Sequence, residues 1–132
     1  MSQENVEIVR RSIDAFTRRD LDLAGQDWDA EAVLDWSRSE GVDAGIYRGQ
    51  EAIQAFWGGW LQMFDQFDFK ADEFLDRGEH VVVPNLTRVR GRDGVEVEAH
   101  SAVLVTVREG RIVAWRLCRD RDEALKAVGL AK

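Results

Sequence analysis

Asp35 is an acid in apolar company. It sits in VLDWS, and the segment that follows, GIYRGQEAIQAFWGGW, is rich in large aromatic side chains. A carboxylate between apolar walls loses hydration of its charged form, which raises its pKa and makes it a better base. Asp35 is thus the leading catalytic candidate, as a proton shuttle. The competing reading is an acid at a strand end that accepts hydrogen bonds from amides of the Ser37–Gly41 segment. His100 is a weaker candidate for a second acid or base; strand alternation puts it on the face opposite Val103, where a structural or interface histidine belongs.

Other groups carry less chemistry. Ser101 is the only hydroxyl on an otherwise apolar strand face, and either donates to a ligand or satisfies a backbone carbonyl. Arg88 either meets an anionic or carbonyl group or belongs, with Arg90, to a solvated strand face. His80 lies by a turn and is expected in solvent. The two histidines stand apart from any cluster of cysteines or acids, so no metal is expected, and no cofactor motif is present. Trp36, Tyr47, Phe56, Trp60, Ser101, Val103 and Trp115 are the expected ligand-binding residues. Five tryptophans in 132 residues supply large rigid walls, each with one N–H, of the kind that line apolar ligand sites.

These groups need a scaffold, and 132 residues suffice for a single domain with one core, residues 1–132. The net charge of -7 argues against a nucleic-acid partner, since phosphate binding needs a positive field. One cysteine, Cys118, excludes an intrachain disulfide and favours a reducing compartment. The N-terminal Glu4, Glu7, Arg10 and Arg11 interrupt any signal-peptide pattern, and no apolar run approaches the roughly 20 residues of a membrane span. A cytoplasmic location with no membrane partner is expected.

The elements follow from periodicity. Val6, Val9, Ile13 and Phe16 share one helical stripe, giving a first helix over about Gln3 to Arg18 with Ser2 as its cap. Asp20 caps a second, short helix that buries Leu21, Ala24 and Trp28 and ends in the polar Asp29–Glu31. From Val33 the period becomes two: Val33, Asp35 and Ser37 point one way, Leu34 and Trp36 the other. Arg38–Gly49 reads as loop. Ile53, Phe56, Trp57, Trp60 and Phe64 form the stripe of a third helix, in which Gly58 and Gly59 imply a bend or a close neighbour.

The rest is strand-like. Phe67, Phe69 and Ala71 alternate with charged residues, and Phe74 falls out of step, as at a bulge. Asp76-Arg77-Gly78 reads as a turn. Val81–Arg90 follows, and its Pro84, the sole proline, implies an edge or a bulge. Asp93-Gly94 marks a hairpin. Val95 to Arg108 is the cleanest alternating strand, with Val97, Ser101, Val103 and Val105 on one face and His100, Leu104 and Thr106 on the other. After a turn at Glu109-Gly110 comes a strand from Ile112 to Arg119. Asp120 and Glu123 resemble the capping box of a last helix that Gly129 ends. Helices early and hairpin-linked strands late mean α+β with a mixed, mostly antiparallel sheet.

In this order, several fragments resemble the nuclear transport factor 2-like superfamily, and within it the SnoaL-like polyketide cyclase and ketosteroid isomerase relatives. They are FTRRDLD at the end of the first helix, VLDWSRSEG, YRGQEAIQAFW, the REGRIVAW hairpin and the closing DRDEALKAVGL. The resemblance implies a cone-shaped, cystatin-like fold: a curved sheet wrapped around helices, with an internal cavity and a habit of dimerising through the outer sheet face. It places Asp35 where isomerase relatives carry a proton-shuttling aspartate at the end of the first strand. The tyrosine and the protonated acid that hold the enolate in those relatives fall near Ser12 and Val103. Neither residue replaces them, and such donors are commonly worth about 3–4 kcal/mol each, so steroid isomerisation is not expected.

Three readings result. The first is a small enzyme, an isomerase, cyclase or hydrolase, acting through Asp35 on a hydrophobic cyclic or carbonyl-bearing metabolite. The second is a non-catalytic domain that binds an apolar small molecule. The third is an interaction domain whose outer sheet face, with His100, Leu104 and Thr106, forms a homodimer.

Overall fold

The computed structural model describes residues 2–39 and 43–130. Helix α1 (Ser2–Thr17) and the four-residue α2 (Leu21–Ala24) lead into strand β1 (Trp28–Asp35). Then come β2 (Ile46–Arg48), α3 (Gln50–Gln62), β3 (Phe64–Ala71), β4 (Leu75–Arg77), β5 (His80–Gly91), β6 (Glu96–Arg108), β7 (Arg111–Cys118) and α4 (Arg121–Leu130). The strands form one sheet in the order β2-β1-β7-β6-β5-β3, with β4 also on β5. Among the described strands only β1 and β7 run parallel; the rest is antiparallel hairpins and returns.

The first helix matches its expected span to within a residue at each end, and Val6, Val9 and Ile13 on its stripe are buried. The side chain of Ser2 lies outside the described residues. Asp20 caps α2 by accepting from the Leu23 amide at 3.1 Å. Arg19, just before it, holds a left-handed φ of 63°, a conformation that costs a non-glycine residue about 1–2 kcal/mol. Its guanidinium offsets that cost by donating to the carbonyls of Leu61, Phe64 and Asp65, so one side chain ties the α1–α2 corner to the end of α3.

The second helix is shorter than expected. Leu21, Ala24 and Trp28 fit a helical spacing, but the chain turns at Gly25 and Trp28 already belongs to β1. Asp29–Glu31, expected to end a helix, is a bulge instead. Trp28 pairs with Ile112 and Val33 with Ala114, so the extra residues on β1 loop outward. Asp29 stabilises that bulge by accepting from the Glu31 amide at 2.9 Å.

The loop expected over Arg38–Gly49 contains β2, and the first two residues of the turn expected at Asp76–Gly78 belong to β4. Pro84 lies on an interior strand, paired with Ala102 on one side. Its carbonyl accepts from the Asp72 amide at 2.8 Å on the other. A strand residue's N and O point the same way, so Pro84 faces Asp72 with no N–H to return the bond, and the β3–β5 ladder ends at Ala71–Asn85. Gly58 and Gly59 have no close neighbour: a Cβ built on either meets nothing within 4 Å. The last helix runs through Gly129 to Leu130 rather than stopping there.

Alternation sorts the sheet into two faces. Val81, Val83, Val103, Val105 and Trp115 join α1 and α3 in the main core. Val82, Ala102, Leu104 and Cys118 lie on the opposite face beneath Ala124 and Val128 of α4. Leu104 is thus covered by the chain's own last helix, and Thr106 is buried with its hydroxyl 3.0 Å from His80 Nδ1. Neither is available to the homodimer face expected for them, and His80 is half-buried rather than in solvent. No described helix is long and apolar enough to cross a membrane.

Candidate functional site

The concave face of the sheet and the two long helices enclose a cavity of about 840 Å³. At its buried end, the rings of Trp28 and Trp115 stack at 5.3 Å, and Trp57 meets Trp28 edge-on at 4.9 Å. Such pairs contribute about 0.5–1.5 kcal/mol each beyond the area they bury. Phe16 packs edge-on against Trp57 and Phe67, and Trp60 meets both Phe64 and Phe67. The far side of the wall is the β5–β6 hairpin, where Val97 and Ala99 line the cavity while exposed to solvent. The cavity therefore opens along that hairpin.

Of the expected ligand-binding residues, Trp36, Phe56, Trp60, Ser101, Val103 and Trp115 all line this space. Tyr47 does not. Its ring packs at a tilt on Phe56, centroids 4.4 Å apart, and borders a smaller depression of about 330 Å³ over α3, shared with Trp60 and Met63. Its hydroxyl donates to the Asp43 carbonyl at 2.7 Å.

Asp35 is not among the lining residues, although Leu34, Trp36 and Ser37 are. In the parallel pair, Leu34 is in register with Trp115 and Asp35 with Arg116. Trp115 lines the cavity and Arg116 is exposed on the other face, so Asp35 shares the outer side. One carboxylate oxygen accepts both the Ser37 amide at 3.0 Å and the Ser37 hydroxyl at 2.6 Å. That is the arrangement of an acid bonded to its loop; Gly41, at the far end of that loop, lies outside the described residues.

His100 is exposed and reaches only the cavity's rim, because alternation turns its side chain away from Ser101 and Val103. Arg88 is taken up by Glu98, its cross-strand partner in register. At the other edge of the mouth, Arg38 forms an ion pair with Glu123 of α4. The Arg38 guanidinium, followed by the Arg119 amide, lowers the Glu123 pKa. Burial pushes the Cys118 thiol up, which leaves it a poor nucleophile. Among the described residues no cluster of His, Cys, Asp and Glu could hold a metal ion.

Two polar features inside the cavity were not singled out from the pattern. Ser12 is buried and bonded twice: its hydroxyl donates to the Ala24 carbonyl at 2.8 Å and accepts the Trp28 indole N–H at 2.9 Å. Asn85, next to Pro84, is 1% exposed. Its amide donates to the Val83 carbonyl at 3.0 Å, and its Oδ1 accepts Thr87 Oγ1 and Ser101 Oγ, each at 3.1 Å. The alternation Val83–Asn85–Thr87 carried that signal, since Val83 points inward.

The model of the SnoaL-like domain family matches residues 9–115 of the chain. No curated protein matches it. Among solved structures, it is similar to an NTF2-like protein of unknown function from Burkholderia pseudomallei, at TM-score 0.80 and 23% identity over 96% of each chain. It is also similar to TerC co-crystallised with polyporic acid, at TM-score 0.79 and 18% identity over 97% of this chain and 95% of that one. A protein from Shewanella putrefaciens assigned as a SnoaL-like polyketide cyclase gives TM-score 0.73 and 16% identity over 98% of each chain.

Proposed function

The chain belongs to the SnoaL-like domain family, and we propose that it binds an apolar, ring-containing small molecule between its sheet and its helices. The observation that carries this reading is the cavity itself: about 840 Å³, walled by Trp28, Trp36, Phe56, Trp60, Phe67 and Trp115. Flat rigid rings recognise flat rigid ligands through area burial and offset stacking, at little cost in side-chain entropy. TerC, of similar fold, was crystallised with polyporic acid; at 18% identity that likeness carries the fold and not the ligand.

A proton-shuttle role for Asp35 would require its carboxylate to leave Ser37 and cross to the other face of β1. Binding without chemistry is therefore the reading we favour. Self-association through the outer sheet face would have to use the part that α4 leaves open, around Leu86, His100 and the Arg88–Glu98 pair.

The test is titration of the purified protein with naphthalene- and anthracene-type probes, followed by tryptophan fluorescence, alongside the variant Ala99→Trp. Ala99 is exposed and lines the mouth, so the new indole fills space without disturbing the core. Probe binding that the variant weakens about tenfold or more, equal to 1.4 kcal/mol, is expected. Unchanged binding in the variant, or no quenching with any probe, would refute the reading.

A further inference from the structure

Resting on the apolar-cavity reading, we infer that the cavity selects ligands bearing a hydrogen-bond donor, such as a phenol or an enol, over ligands that present a carbonyl or ether oxygen there. The inference comes from the direction of the hydrogen bonds around Asn85. The Val83 carbonyl can only accept, so the Asn85 amide nitrogen must face it, at 3.0 Å. That fixes the side-chain orientation and turns Oδ1 toward Thr87 and Ser101.

An amide oxygen can only accept as well. The Thr87 and Ser101 hydroxyls, each 3.1 Å from Oδ1, therefore both spend their single proton on it. Two donors fill the two lone pairs of that oxygen. What each hydroxyl has left is acceptor capacity, and both residues line the cavity. The other hydroxyl deep in the wall, Ser12, has no proton for a ligand either, since it donates to Ala24 and accepts from Trp28. The Thr87 and Ser101 hydroxyls thus act as an acceptor pair on the β5–β6 wall of an apolar site. A ligand O–H or N–H placed there gains a bond, whereas a carbonyl or ether oxygen meets lone pairs and loses its water.

The experiment compares 2-naphthol with 2-methoxynaphthalene, which differ in the donor and share the ring, by fluorescence titration and calorimetry. Naphthol should bind about tenfold more tightly to the wild-type chain. That ratio should fall at least about threefold in Ser101→Ala and in the near-isosteric Thr87→Val, each checked for folding by its thermal transition. Equal binding of the two probes, tighter binding of the ether, or a preference that survives both substitutions overturns the donor inference while leaving the apolar-cavity reading in place. Failure of both probes to bind overturns both.

Discussion

The indole N–H of Trp28 donates to the hydroxyl of Ser12 at 2.9 Å, inside the wall that α1 and β1 form together. In the isomerase relatives a tyrosine is expected on this part of the first helix. Here the position carries a short side chain whose one proton is spent on the fold. Replacing Ser12 with Ala leaves the Trp28 indole and the Ala24 carbonyl without this partner in a buried setting. A loss of about 2–3 kcal/mol is expected in denaturant unfolding, with ring-probe affinity changed little. A variant as stable as the wild type would show that water or a neighbour replaces the hydroxyl.

Asp35 gives the sharpest separation between the enzymatic and binding readings. Asp35→Asn keeps the oxygen that accepts from Ser37 and removes only the charge. Probe affinity should stay within about twofold and stability within about 0.5 kcal/mol, as for substitutions outside a buried network. A large drop in affinity, or loss of a turnover found with any substrate, would return Asp35 to the site.

Glu123 predicts a pH dependence. Arg38, and after it the Arg119 amide, lower its pKa in the folded chain below the ordinary value of 4.5. A group lowered on folding adds stability above its unfolded value, and that contribution disappears as pH falls through the folded one. Melting temperatures of wild type and Glu123→Gln should therefore differ most near neutral pH. The gap should close progressively as pH is lowered past about 4.5. A gap independent of pH would mean that Gln loses packing or cap geometry rather than charge.

Gly59 sits on the exposed side of α3, with space for a methyl group. Gly59→Ala should stabilise the chain by up to about 1 kcal/mol, since the helix-propensity gain meets no opposing contact. Chemical denaturation reads this directly; destabilisation would reveal a need for backbone freedom in α3.

The strand faces were legible because the alternation is strict. In the Val95–Arg108 strand, Val103 and Val105 could be assigned to one side and Leu104 to the other from the pattern alone. The side chains of Asp20, Asp120 and Glu123 likewise announced their caps, and each accepts a nearby amide as expected. The three-residue strands β2 and β4 were not legible, since so short a run shows no period. Trp28 misled because helical spacing and a strand start look alike when a bulge follows. The same alternation that set Asp35 opposite Trp36 also set it opposite the cavity; its aromatic neighbours in sequence and the family resemblance together drew it inward. What covers the outer face could not be read at all, because the docking of α4 depends on tertiary packing rather than on any local pattern.

Val97 and Ala99 line the cavity and meet solvent at once, and this has a kinetic consequence. A ring arriving from bulk water can slide along the open hairpin wall, so entry along that path involves no unfolding step. Association rates should then vary little across a series of related ligands, and residence time should set their ranking. Stopped-flow mixing would show that ordering as a spread in dissociation rates over a nearly constant on-rate.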